Sequence, residues 1–274
     1  MPMHEAVADL LGRRRLTLIA GPCVIESAEL CLTLATQLRD LCRAHGVGYI
    51  FKASFDKANR TRGTAFRGHG MTAGLEILAA IRDQVQVPVL TDIHLPEQAA
   101  PVAAVVDVLQ IPAFLCRQSD LLAAAAATGR PTNIKKGQFL APTDMRHVVE
   151  KFRAAGNPHV AVTERGVCFG YQALVVDMRS LVILRETTAA PVIFDATHSV
   201  QTPGSGDGST GGDRRMAPVL ARAATAVGID GLFCEVHPDP DRALSDGPNA
   251  LTPAMLDALL GDVTALHAVA QRTR

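Results

Sequence analysis

The stretch Leu16-Thr-Leu-Ile-Ala-Gly-Pro-Cys23 decides the fold. A run of strand length, apolar at all but one position through Ala20, enters a tight turn and stops at a thiol. A doubly wound nucleotide-binding sheet would place a GxGxxG turn after its first strand, so that the backbone can approach a pyrophosphate. The turn here reads Gly21-Pro22-Cys23 and has no such pattern. Working outward, similar short apolar runs recur at Gly48–Lys52, Val87–Thr91, Val106–Gln110, Thr132–Lys135, His159–Val162, Pro191–Phe194 and Gly231–Cys234. Runs without strict alternation suit parallel strands covered on both faces.

Helical patterns fill the intervals: Ala28–His45, Leu75–Asp83, Pro96–Ala104, Asp120–Ala127, Asp144–Ala155, Tyr171–Arg185, Met216–Val227 and Pro253–Gln271. Gly46 stops the first, and Thr252 with Pro253 opens the last as N-cap and first helical residue. Eight strand–helix pairs in 274 residues predict an α/β protein. The expected form is a single (β/α)8 TIM barrel over residues 1–274, with its active site at the C-terminal mouth of the strands.

Composition narrows the function. The 27 basic and 27 acidic residues cancel, and the chain has no Trp and two Tyr. Neither a basic field nor a stacking platform for nucleic acid is present. No stretch is read as a membrane span, and residues 1–15 lack the apolar core of a signal peptide. The six cysteines form no CxxC pair, which suits reduced thiols in a cytoplasmic protein.

Nearly every apolar run is closed by a polar or reactive residue: Cys23, Lys52, Asp92, Gln110, Lys135, Arg165, His198 and Glu235. In a barrel these ring one mouth. Cys23, His198 and Glu235 follow the first, seventh and eighth strands, which are neighbours once the barrel closes. Asp246, on the loop after the eighth strand, can join them. Thiolate, imidazole and carboxylate together suit a divalent transition ion: zinc, iron or manganese. Taken singly, Cys23 reads as a small buried hydrophobe, His198 as a hydrogen-bonded core residue and Asp246 as a turn former. Lys52, Lys57, Lys135, Lys136 and Arg165 supply cations in a chain of zero net charge, which points to an anionic substrate held by local charge. Lys57 and Lys136 read equally well as solvated surface residues. The loop GSGDGSTGG, 204–212, lacks a P-loop lysine and reads as a flexible segment closing over the mouth.

Several longer motifs then fall into one order: Ile19-Ala-Gly-Pro-Cys-Val-Ile-Glu-Ser27, Phe51–Arg60, Gln110-Ile-Pro-Ala-Phe114, Asn133-Ile-Lys-Lys-Gly-Gln-Phe139, Phe194-Asp-Ala-Thr-His198 and Glu235-Val-His-Pro-Asp-Pro240. With them the chain resembles the 3-deoxy-D-manno-octulosonate 8-phosphate synthase family along nearly its whole length. The resemblance implies a barrel, usually a homotetramer, that condenses phosphoenolpyruvate with arabinose 5-phosphate and releases phosphate on the way to lipopolysaccharide. It implies that Lys52, Lys57, Gln110, Pro112, Ala113, Lys135, Gln138 and Arg165 surround phosphoenolpyruvate, with Lys135 and Arg165 on its phosphate. Asn59, Arg60 and Thr61 would hold the sugar phosphate. Members with cysteine at position 23 need a divalent ion, which places this chain in the metal-dependent branch, with Cys23, His198, Glu235 and Asp246 as ligands. Lys57, His198 and Asp246 are the candidate catalytic groups. Where the family commonly reads Ser-Ser-Ile-His, this chain has Thr61-Arg62-Gly63-Thr64.

Two rivals remain. The related synthase that uses erythrose 4-phosphate carries Lys-Pro-Arg-Thr where this chain has Lys57-Ala-Asn-Arg60. A non-catalytic barrel that binds a sugar phosphate or a metal would need the cations but not the full set of reactive strand ends.

Overall fold

The computed structural model describes residues 15–168, 173–205 and 210–273. Strands β1 (Thr17–Gly21), β2 (Gly48–Lys52), β3 (Val89–Asp92), β4 (Val108–Ile111), β5 (Thr132–Lys135), β6 (Val160–Glu164), β7 (Val192–Asp195) and β10 (Gly231–Glu235) form a closed barrel. Its order is β1-β10-β7-β6-β5-β4-β3-β2, and every pairing is parallel. Helices α1 (Ala28–Ala44), α2 (Met71–Val85), α3 (Ala99–Ala103), α4 (Ser119–Ala127), α5 (Met145–Ala154), α6 (Arg179–Thr188), α7 (Ala217–Val227) and α8 (Pro253–Ala270) lie between and after the strands. A small antiparallel pair, β8 (Gln201–Thr202) with β9 (Gly211–Gly212), stands outside the barrel.

Side chains alternate across a strand, so each barrel strand feeds two cores. Ile19, Ile50, Leu90, Val108, Ala161, Ile193 and Phe233 form one buried cluster inside the barrel. Their neighbours, among them Leu18, Phe51, Val89, Leu109, Val162, Val192 and Leu232, join the larger cluster beneath the helices. Two residues beyond an inward apolar position comes the next inward position, nearer the mouth. Ile50 leads to Lys52, Leu90 to Asp92, Val108 to Gln110, Ile193 to Asp195 and Phe233 to Glu235, all buried. The pleat therefore places a polar layer directly on an apolar one. Gly21 is glycine because β1 runs close to β2: a Cβ there would lie 2.1 Å from the Lys52 carbonyl oxygen.

The helix ends follow local chemistry. Ser27 Oγ accepts Leu30 N at 3.1 Å, and Thr252 Oγ1 accepts Met255 N at 3.2 Å ahead of Pro253. One expected helix is corrected. Tyr171–Arg185 is not a single helix: Val175 bridges Val167 in antiparallel fashion, and α6 starts only at Arg179, whose N–H is accepted by Asp177. Residues 171 and 172 lie outside the described set. The expected Pro96–Ala104 helix is a 3-10 turn, Pro96–Gln98, followed by the short α3. The reading of no membrane-length stretch is also corrected, because α8 has 18 residues and is apolar enough by composition to span a bilayer. Leu256, Leu259, Leu260 and Val263 are buried in the core, while Asp257 and Asp262 face outward and pair with His45 and Arg222. It is a covering helix of the barrel.

Phe233 is the largest member of the inner cluster and is fully buried. Phe233→Ala is expected to lower the unfolding free energy by about 3–5 kcal/mol, read from urea unfolding. A loss below about 1 kcal/mol would mean that the interior layer is not tightly packed.

Candidate active site

The polar layer is a connected network. Lys52 Nζ donates to the Cys23 carbonyl at 2.9 Å and to Glu235 Oε1 at 3.1 Å. Lys135 Nζ donates to Asp195 Oδ2 at 2.6 Å and sits 3.6 Å from the centroid of the Phe233 ring. Asp92 accepts from Ser54 Oγ at 2.6 Å and from Gln110 Nε2, and Gln110 Oε1 accepts from Asn133 Nδ2 at 2.9 Å. Arg165 Nη2 donates to Gln201 Oε1 at 2.6 Å, and Gln201 Nε2 passes the chain on to Asp246 Oδ1 at 3.0 Å. Arg165 Nη1 is buried with no hydrogen-bond partner. A guanidinium 6% exposed with an idle donor is costly unless an anion completes it.

Cys23, Glu235 and Asp246 bring ligand atoms within 4.8 Å of one another. β1 and β10 are paired neighbours, which puts the thiol and the Glu235 carboxylate side by side. Cys23 Sγ lies 3.0 Å from Asp246 Oδ2. His198 stands next to this group rather than within it: Nδ1 lies 2.7 Å from Asp195 Oδ2, which aims Nε2 at Glu235 Oε1, 3.4 Å away. A histidine held by a carboxylate behind it is the usual arrangement of a metal-ligating imidazole. Glu235 Oε2 is buried without a partner. Burial, then Asp246 and Glu235, push the Cys23 thiol well above its ordinary range. A divalent cation among these atoms would satisfy the orphaned oxygen and relieve the crowding of acidic groups, so the residues fit a metal.

Charge is balanced across the mouth. Burial alone would lower Lys57, but Cys23, Glu235, Asp92 and Asp246 outweigh it and hold its ammonium above the usual lysine range. Burial lowers Lys135 and Arg165, with Asp195 opposing in both cases. Asp246 is held below the ordinary carboxylate range against burial, chiefly by Lys57 and His198.

The remaining site residues fall around two connected spaces. An inner chamber of about 80 Å³ is lined by Lys52, Asn59, Gln110, Pro112, Ala113, Lys135, Gln138, Arg165 and His198. An outer cleft of about 690 Å³ carries Asn59, Arg60, Thr61 and Arg62, and shares Gln138, Arg165 and His198 with the chamber. Lys57 lines neither.

Three features correct or extend the sequence reading. Lys136 is neither at the mouth nor on the surface: it is fully buried outside the barrel, 3.5 Å from Glu164 and donating to the carbonyl of Leu140. Successive side chains point to opposite faces, so Lys135 and Lys136 could not both face inward. Asp195 received no role, yet it orders both Lys135 and His198; counting two positions from Ile193 finds it. Ser245, which contacts Cys23 at 2.9 Å, left no signal in the sequence. Of the 204–212 loop, residues 206–209 lie outside the described set. Its base is the β8–β9 pair, and Gly212 is required there by Asn249, whose Oδ1 a Cβ would strike at 1.6 Å.

Barrel and mouth together define a (β/α)8 protein whose buried cations, one with an idle donor, stand beside a metal-type ligand cluster. Comparison with known proteins narrows that class. The chain belongs to the DAHP synthetase I family, whose model matches residues 9–269. It is 57% identical over 265 residues to the 2-dehydro-3-deoxyphosphooctonate aldolase of Nitratidesulfovibrio vulgaris, covering 97% of this chain and 96% of that protein. Proteins of the same name from Methylobacterium radiotolerans and Stenotrophomonas maltophilia are each 58% identical, covering 94% of this chain and 91% and 93% of their own lengths.

Asp195 sets an acid limit on this network. Burial would raise its carboxyl, but His198 and Lys135 outweigh burial and depress it. A folded value below the unfolded one stabilises the fold above the unfolded value, and that contribution is lost as pH falls toward the folded one. The gap in unfolding free energy between wild type and Asp195→Asn should therefore be constant near neutrality and shrink below pH about 4. Urea unfolding at pH 7 and pH 3 reads it; a gap independent of pH would contradict the assignment.

Proposed function

We propose that the chain, as one catalytic domain, condenses phosphoenolpyruvate with arabinose 5-phosphate and water to give 3-deoxy-D-manno-octulosonate 8-phosphate and phosphate. The observation that carries the reading is Arg165, buried beside Lys135 on the inner chamber with one donor idle, next to a thiol–carboxylate cluster. The names of the relatives at 57–58% identity support arabinose 5-phosphate over erythrose 4-phosphate. The six free thiols support a reducing, cytoplasmic setting. Phe139, 55% exposed, is an apolar side chain that the contact between copies would cover in the homotetramer that the resemblance implies.

In this reading Lys135 and Arg165 hold the phosphate of phosphoenolpyruvate, while Lys52, Gln110 and Gln138 line the rest of the chamber. Asn59, Arg60 and Thr61 bind the sugar phosphate in the outer cleft, which brings the aldehyde carbon toward C3 of phosphoenolpyruvate. C3 forms the new bond, water adds at C2, and the C2–oxygen bond to phosphate breaks as the new C2 hydroxyl becomes the ketone. Of the two protons that water brings, one replaces the proton given to the aldehyde oxygen and the other leaves on the phosphate. The aldehyde oxygen gains charge as the bond forms, and Lys57, whose ammonium neighbouring acidic groups hold above the usual lysine range, gives it a proton once the bound substrates come within its reach. A divalent ion held by Cys23, His198, Glu235 and Asp246 supplies Lewis acidity when bound. His198, oriented by Asp195, and Asp246 keep the proton inventory of the mouth fixed around the reacting atoms. Buried walls exclude bulk water from the enol.

Phosphate release from phosphoenolpyruvate should require arabinose 5-phosphate, with erythrose 4-phosphate giving none above background; the reverse preference would overturn the reading. A strong chelator should abolish turnover and a divalent ion restore it. Cys23→Asn should retain less metal after dialysis, measured by elemental analysis. Arg165→Ala removes a charge-assisted contact of about 2–3 kcal/mol, so kcat/KM for phosphoenolpyruvate should fall about 30- to 150-fold.

A further inference from the structure

We infer that Arg60 and Ser245 form a latch through which the sugar-phosphate subsite and the thiol–carboxylate cluster set each other's affinity, with Ser245 the positioning residue at the junction. The inference rests on the arabinose 5-phosphate reading above and gives that site a regulation of its own.

A guanidinium has five N–H donors. The chain itself takes three from Arg60: Nε–H goes to the Phe66 carbonyl at 2.9 Å, Nη1–H to Ser245 Oγ at 2.6 Å and Nη2–H to the Leu244 carbonyl. Two are left for an anion, and Arg60 lines the outer cleft with Asn59 and Thr61. A sugar phosphate arriving there meets an arginine already committed to residues 244 and 245.

The segment that Arg60 grips is the one that carries Asp246. Asp246 has φ 51°, a left-handed backbone that a non-glycine residue keeps only when its surroundings hold it. Two side chains hold the neighbouring Leu244 in place. Glu26 Oε1 accepts Leu244 N at 3.0 Å from one side, and Arg60 takes the Leu244 carbonyl from the other. Ser245, 5% exposed, has its hydroxyl 2.6 Å from Arg60 Nη1, 2.9 Å from Cys23 Sγ and 3.4 Å from Asp246 Oδ2. One hydroxyl joins the sugar-phosphate cation to two members of the metal-type cluster.

The energetic consequence has a sign. A cation shared by Cys23 and Asp246 fixes the segment that Arg60 holds, and so fixes Arg60 before the sugar phosphate arrives. Less ordering is left to be done on binding, and the sugar phosphate binds more tightly. Linkage makes the effect mutual: the sugar phosphate tightens the cation by the same factor.

The test uses arabinose 5-phosphate without phosphoenolpyruvate, so that no turnover occurs. Calorimetric titration into metal-stripped and Mn2+-loaded wild-type protein should give Kd at least about fivefold lower in the loaded form. The reciprocal titration, Mn2+ with and without saturating arabinose 5-phosphate, should shift by the same factor and needs no variant. In Ser245→Ala the ratio should fall to near one. A merely structural role for Ser245 would weaken both forms alike and leave the ratio in place. Equal affinities in the two wild-type forms, or a ratio retained in Ser245→Ala, would overturn the inference and leave the functional reading standing. Arabinose 5-phosphate that binds neither form would overturn both.

Discussion

A closed parallel barrel gives each strand an inward position near its mouth, and those positions share one confined space. Whatever charge enters that space must be matched within it, because a buried ion without a partner costs several kcal/mol. The interior of this protein obeys that constraint in two tiers. Ile19, Ile50, Leu90, Val108, Ala161, Ile193 and Phe233 fill the lower tier with apolar volume. Lys52, Asp92, Gln110, Lys135, Asp195 and Glu235 fill the upper tier with paired polar groups. The aromatic face of Phe233 joins the tiers, since the Lys135 ammonium rests on it.

The pairing is deliberately incomplete in two places, and these define the chemistry. On one side Arg165 keeps an idle buried donor, and Lys135 and Arg165 are both weakened as cations by burial. Both deficits call for an anion. On the other side Glu235 keeps an idle buried oxygen beside a thiol and a second carboxylate. That deficit calls for a cation. Gln201 spans the two, accepting from Arg165 and donating to Asp246. An anionic substrate and a divalent ion would therefore complete one network rather than occupy two separate sites.

Much of this was legible in the amino-acid order, and the reasons are physical. Strand runs such as Leu16–Ala20 and Gly231–Cys234 could be read because burial on both faces demands continuous apolarity. Their polar terminators could be read because barrel mouths collect strand ends. Asp195 is legible by its two-residue offset from the inward-facing Ile193, although it stands just past the apolar run Pro191–Phe194 and is a less distinctive residue than His198. Lys136 departs from its sequence reading because the alternation of the strand continues one residue past Lys135 and turns its side chain to the opposite face, toward Glu164. The false helix start at Tyr171 arose because Leu174, Val175 and Val176 carry apolar weight that serves a bridge to Val167 rather than a helical face. Ser245 and Gln201 could not be found at all. Their roles depend on how loops fold back over the mouth, and no periodicity encodes that.

The central claim is that one mouth holds an anion and a cation in adjacent, mutually completing places. Crystals grown with Mn2+ and phosphoenolpyruvate, with diffraction data collected for the anomalous signal of manganese, test it most directly. The account predicts one anomalous peak within coordinating distance of Cys23 Sγ, Glu235 and Asp246, and a phosphate hydrogen-bonded to Arg165 Nη1 and Lys135 Nζ. Manganese away from the thiol, or a phosphate that leaves Arg165 Nη1 without a partner, would contradict it.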